Sequence, residues 1–193
     1  MISPITVFDL EFTAWAGSMP GHWLAPGEFK EVVQIRAVTL DPFDFSILDE
    51  FNCLVRPRIN PHLSPYLEEL TGITNEMVAR AGVDFADAYR RFAAFAGKGP
   101  ICAFGHDEAI LAENIRLHGL CDLPPLPDFV DLRGWFAARR LDPRGLCSCD
   151  IAPALGLKVT GRAHDALDDA RSMAIAMAAM VARGESPALQ IAA

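Results

Sequence analysis

The stretch VFDLEFTAW (residues 7–15) bears on both the fold and the chemistry of this chain. Val7, Phe8, Leu10 and Phe12 make an apolar run of the length of a buried strand, yet Asp9 and Glu11 stand inside it. Residues two apart on a strand share a face, so the two carboxylates project side by side while Phe8 and Leu10 point the other way, into a core. Neighbouring anions raise each other's pKa unless something positive sits between them, and no Lys or Arg precedes Lys30. A metal ion is the simplest partner; an edge strand with a solvated face is the alternative when the motif is read alone.

Further along, EVVQIRAVTL (31–40) and SILDEFNCLV (46–55) read as two more strands, with DPFD (41–44) as the turn between them. Residues 75–96 have helical spacing with a break near Gly82, GPICAF (99–104) is a fourth short strand, and 107–118 is a helix. DFVDL (128–132) makes a fifth strand, 134–140 is helical, and 164–183 is a long helix. Strands that first meander and then alternate with helices predict an α/β fold: a mixed five-stranded sheet, three antiparallel strands and then two parallel, flanked by helices. Residues 1–183 are expected to form one domain, and the tail 184–193 to fray.

With 193 residues, 51% hydrophobic and 22% charged, the chain suits a globular core and argues against general disorder. No apolar run is long enough to span a bilayer and no secretory leader is evident, so a cytoplasmic location with no membrane partner is expected. The five cysteines, without C-x-x-C spacing, read as reduced thiols. A net charge of −8 excludes a uniformly basic, nucleic-acid-coating surface, but not a nucleic-acid enzyme whose bound cations offset the acidity locally.

Two further acidic positions have inward geometry. On a helical wheel Asp107, in CAFGHDEAILAENI, falls in the middle of the apolar face at the first turn, although an Asp there also fits a cap or a dipole partner. In RAHDALDDARSMAIAMAAM, Asp169 falls on the margin of the apolar stripe and Asp168 toward solvent. His164 shares that site only if it sits on the loop ahead of the helix, where it becomes a candidate general base. The loop 13–28 carries Trp15 and Trp23, either as a stacking surface for a base or as a cover for the sheet edge. Arg133, Arg139, Arg140, Arg144, Lys158 and Arg162 form a basic stretch that serves either as a path for a phosphate backbone or as a solvated face.

Taken in order, FDLEFT, GHDEAIL and HDALDDA resemble the three motifs of the DEDDh family of 3′-to-5′ exonucleases. Between the first two, VRPRINPHLSPYLEELTGITNEMV resembles the linker of the branch that trims histone messenger and small interfering RNAs. The resemblance implies an RNase H-like fold and hydrolysis of terminal phosphodiesters of single-stranded nucleic acid, RNA rather than DNA, to nucleoside 5′-monophosphates. It implies that Asp9, Glu11, Asp107 and Asp169 hold two divalent cations, Mg²⁺ or Mn²⁺, with His164 as base. Phe12, Thr13, Leu70 and Thr71 are the implied contacts to the terminal nucleotide, although LTGIT also reads as a plain turn with Thr74 capping the next helix. A proofreading-type DNA exonuclease and a non-catalytic nucleic-acid-binding module on the same fold are the alternatives.

Overall fold

The computed structural model describes residues 3–158, 165–186, 188 and 189. Five strands form one sheet: β1 (Ile5–Phe12), β2 (Val32–Leu40), β3 (Ile47–Leu54), β4 (Ile101–Ala103) and β5 (Phe129–Asp131), in the order β3-β2-β1-β4-β5. β1, β2 and β3 pair antiparallel; β4 runs parallel to both β1 and β5. This is the expected mixed sheet.

The helices are α1 (Ser18–Gly21), α2 (Pro65–Thr71), α3 (Asn75–Ala81), α4 (Phe85–Ala96), α5 (Asp107–Leu117), α6 (Leu132–Ala137), α7 (Ile151–Ala154) and α8 (Ala166–Ala182), with a 3-10 turn over Ser148–Asp150. The predicted break at Gly82 separates α3 from α4. There Val83 leaves the helical path and its N–H donates to Leu54 O at 3.0 Å. α2 and α7 were not anticipated. The signal for α2 was present in Ser64-Pro65: Ser64 accepts from Leu67 N, and Pro65 takes the first helical position, where a missing N–H does no harm. Gly72 closes α2 at φ 76°, and Thr74 caps α3 as the turn reading of LTGIT expected.

Alternation along β1 divides the core. Ile5 and Val7 pack with α6, α7 and α8, whereas Phe8 and Leu10 pack on the opposite face with α4 and α5. Asp9 and Glu11 continue the Ile5–Val7 row, so they emerge on the α8 face where that core ends. Gly99 is required before β4, because a Cβ there would lie 1.7 Å from Pro4 O.

Two boundaries shift. The last helix starts at Ala166, not at 164, because Asp165 accepts from Leu167 N and Asp168 N as its N-cap. α6 starts at Leu132 under an Asp131 cap and ends at Ala137. The chain after Gly184 was expected to fray, but its described part is docked. Trp135 Nε1 donates to Ala188 O, Arg139 reaches Ser186 O and Ala188 O, and Leu189 packs against the α8-side core. Among the described residues no helix is long and apolar enough to cross a membrane.

Candidate active site

β1 supplies two carboxylates and the first turn of α8 a third. Asp9, Glu11 and Asp169 are 8%, 9% and 3% exposed, and each offers an oxygen within 4.8 Å of the others. Asp168, one residue away, turns outward and pairs with Arg171, which is also bound to Glu50 of β3. The helical-wheel choice of Asp169 over Asp168 matches this placement. Asp107, half-buried at the start of α5, lines the same cavity, outside the 4.8 Å trio. The cap reading of Asp107 is corrected: the N-cap is His106, and no side chain closes that helix end.

The electrostatics follow from this crowding. Burial is the largest influence on Asp9 and pushes its carboxyl well above the usual range, with Asp107, Glu11 and Asp169 adding to it and a hydrogen bond from Ser148 opposing. Glu11 is raised by burial and then by Asp169, Asp107 and Asp165, against the lowering effect of Arg36. Asp107 is pushed up to about 7 by burial and the Asp131 anion, with Arg133 opposing.

Arg36 was missed because the search for a compensating cation ran along the chain. The antiparallel register sets Arg36 opposite Asp9, and its guanidinium forms an ion pair with the cap residue Asp165. One arginine does not balance the carboxylates around it. Buried oxygens at this separation suit a hard divalent cation, which binds carboxylate oxygens at about 2.0–2.6 Å.

The carboxylates line a cavity of about 690 Å³. Its lining also includes the apolar groups of Phe12, Trp23, Tyr66 and Leu70, together with Arg133 and the loop around Arg144. The β1–β2 register shifts between Glu11 and Phe12, and beyond that irregularity these sequence neighbours line the same cavity. Trp23 packs on Phe12 with ring centroids 5.5 Å apart, donates through Nε1 to Thr13 O at 2.8 Å, and carries Lys30 Nζ 4.6 Å from its ring centre. Trp15 is not part of the lining.

Of the four implied nucleotide contacts, Phe12 and Leu70 line the cavity, whereas Thr13 and Thr71 do not. The Thr13 hydroxyl bonds Phe29 O and accepts from Glu31 N; the Thr71 hydroxyl donates to Leu67 O and accepts from Ile73 N. The hydroxyls of these two threonines thus hold the loop and α2 in place. His164 and Arg162 lie outside the described residues. Of the rest of the basic stretch only Arg133 and Arg144 reach the cavity; Arg139 stacks on Trp135 at 3.7 Å and binds the tail.

Ser148, also unanticipated, brings its hydroxyl within 3.5 Å of Asp169 Oδ2. A buried Glu31, fully enclosed, accepts from the N–H groups of Arg58, Ile59 and Asn60 at 2.7, 2.9 and 2.6 Å and so joins the start of β2 to the linker before α2.

The family model described as Exonuclease (RNase_T) matches residues 6–177. The chain is 28% identical over 174 residues to 3′-5′ exonuclease eri1 of Schizosaccharomyces pombe, covering 74% of this chain and 58% of that protein. To human ERI1 exoribonuclease 2 it is 27% identical over 206 residues, covering 93% of this chain and 28% of that protein. It therefore spans well under two thirds of the length of these relatives. In fold it is similar to the nuclease domain of 3′hExo, a DEDDh family member bound to rAMP, with a TM-score of 0.82 at 24% identity over 98% of this chain and 96% of that one. A 3′-exonuclease solved with recognition of the histone mRNA stem-loop aligns at a TM-score of 0.80 and 22% identity, covering 100% of this chain and 91% of that one. The family match over residues 6–177 falls on the sheet and the helix that bring the carboxylates together, and the chain belongs to the exonuclease family that this model describes.

Proposed function

We propose that this chain is a divalent-cation-dependent 3′-to-5′ exonuclease that removes nucleoside 5′-monophosphates from the 3′ ends of single-stranded nucleic acid, RNA in preference to DNA. The observation that carries this reading is the convergence of Asp9, Glu11 and Asp169, with Asp107 lining the same cavity. Four carboxylates match the charge of two divalent ions, Mg²⁺ or Mn²⁺, and Asp9, Glu11, Asp107 and Asp169 would hold them. When bound, such ions polarise the phosphate and stabilise both the entering and the departing oxygen of an in-line displacement.

The chain's own groups do the rest. His164, just before the Asp165 cap, takes the proton of the attacking water as general base. Phe12, Trp23 and Leu70 offer an apolar wall to the terminal nucleoside, and the Arg36–Asp165 pair fixes the start of α8, and with it Asp169. RNA is favoured because several relatives, human ERI1 exoribonuclease 2 among them, are named exoribonucleases and one structural neighbour holds rAMP. DNA is the second reading, supported by the likeness to an exonuclease I–ssDNA complex from E. coli at a TM-score of 0.69. The full set of acidic residues counts against a non-catalytic binding module. The five cysteines are unpaired thiols, which suits the cytoplasm.

A 5′-labelled oligonucleotide with Mg²⁺ or Mn²⁺ is expected to give a ladder of single-nucleotide steps, lost in Asp9→Ala and Asp169→Asn. Cleavage unchanged in both variants refutes the assignment, and matched RNA and DNA strands rank the two substrates.

A further inference from the structure

Two arginines line the cavity, and each is held in the same way. In Asp131-Leu132-Arg133, the Arg133 N–H donates to Asp131 Oδ1 at 2.9 Å, Nε donates to both carboxylate oxygens at 3.1 and 2.9 Å, and Nη2 donates to Oδ2 at 2.6 Å. In Asp142-Pro143-Arg144, the corresponding distances are 3.1 Å for the main chain, 2.9 and 3.1 Å for Nε, and 2.7 Å for Nη2. The D-x-R fork thus occurs twice in the lining of the cavity.

Such pairing has two consequences. It fixes the plane of a guanidinium that otherwise samples many rotamers, so less freedom is lost when a ligand binds. It also engages Nε and Nη2 while leaving Nη1 of both arginines without a hydrogen bond among the described residues. The remaining donors suit phosphate oxygens, which arginine recognises by directed N–H bonds. The two forks also sit at different depths: the Arg133 side chain is 36% exposed and close enough to Asp107 to feel its charge, whereas Arg144 is 88% exposed, toward the rim.

We propose that Arg133 and Arg144, each preset by the aspartate two residues before it, read consecutive backbone phosphates on the 5′ side of the scissile bond and so direct the strand out of the cavity over residues 142–146. Arg133 serves the inner phosphate and Arg144 the outer one. This inference rests on the nuclease reading and adds the route of the strand to it. Substrates with several phosphates gain from the wall; a substrate with one phosphate does not reach Arg144.

The test compares Arg144→Gln with wild type on a single-stranded octanucleotide and on a 4-nitrophenyl ester of a nucleoside 5′-monophosphate. Arg80→Gln, an exposed change of the same charge away from the cavity, is the control. The expected result is a fall in kcat/KM on the octanucleotide about tenfold larger than on the ester, carried by KM. The slope of log KM against log salt should become shallower by about 0.7 for each arginine removed. Equal losses on both substrates, or the same small loss in Arg80→Gln, overturn the proposal. A wild-type protein inactive on both substrates defeats the nuclease reading instead. Binding of the octanucleotide in Ca²⁺, followed by fluorescence anisotropy, then decides the arginine wall without turnover: unchanged affinity and salt slope in Arg144→Gln rule it out.

Discussion

Asp9→Asn should make the cation-free protein more stable while destroying its response to divalent cations. Asp9, Glu11 and Asp169 bring oxygens within 4.8 Å of one another in a buried site. Two unit charges at that separation repel by about 3 kcal/mol at an effective dielectric constant near 20, and partial protonation trims the net gain from removing one to about 2 kcal/mol. For a chain of this size that corresponds to a rise of about 4–8 °C in Tm, measured by scanning fluorimetry in EDTA. The pH dependence has a definite sign. Burial first, and then Asp107, Glu11 and Asp169, raise the folded-state pKa of Asp9 above its unfolded value. Between those two values the native state binds more protons than the unfolded state, so stability falls as pH rises through the window. Asp107, pushed up to about 7, acts in the same direction. The Tm of wild type in EDTA should therefore drop as pH rises from about 4 to 7, and the advantage of Asp9→Asn should grow over the same range. Saturating Mn²⁺ should reverse the order, since a ligand at a hundred times its Kd adds about 2.7 kcal/mol to the protein that binds it. If Asp9→Asn were less stable than wild type in EDTA at pH 8, the carboxylate would be a satisfied structural group and the cation-site argument would fail.

Glu31→Gln should lower stability by about 2 kcal/mol in urea unfolding, because an amide nitrogen cannot accept from the buried N–H groups of Arg58, Ile59 and Asn60; a change within about 0.5 kcal/mol would remove Glu31 as the anchor of the linker. His164→Ala should lose about two or more orders of magnitude in kcat together with the acid limb of the pH–rate profile near the ordinary histidine pKa of about 6.5. A wild-type profile flat from about pH 5.5 to 8.5 would assign the proton to another acceptor.

Local rules carried the reading where each position depends on its near neighbours. The two-residue period of β1 placed Asp9 and Glu11 on one face, and the ~100° step of a helix separated Asp169 from Asp168. The positions of the five strands and the Gly82 break followed from apolar runs and turn residues in the same way. α2 escaped notice because the linker was read as loop, even though Ser64-Pro65 marks a helix start. The folded loop shows the hydroxyls of Thr13 and Thr71 bonded to the backbone, a direction that a motif by itself does not give.

The rest is settled by pairing across distance. Arg36 lies 27 residues after Asp9, and only the antiparallel register sets the two opposite each other. The described part of the tail docks because Trp135 of α6 and Arg139 just after that helix present donors to its carbonyls, a match absent from the tail's own composition. The basic stretch looked uniform along the chain, yet only Arg133 and Arg144 face the cavity while Arg139 lies on Trp135. Secondary structure and the face of each element come from short-range sterics and periodicity, which any single segment carries. Which charges meet depends on strand register and helix docking, and those are set by burial summed over the whole sheet.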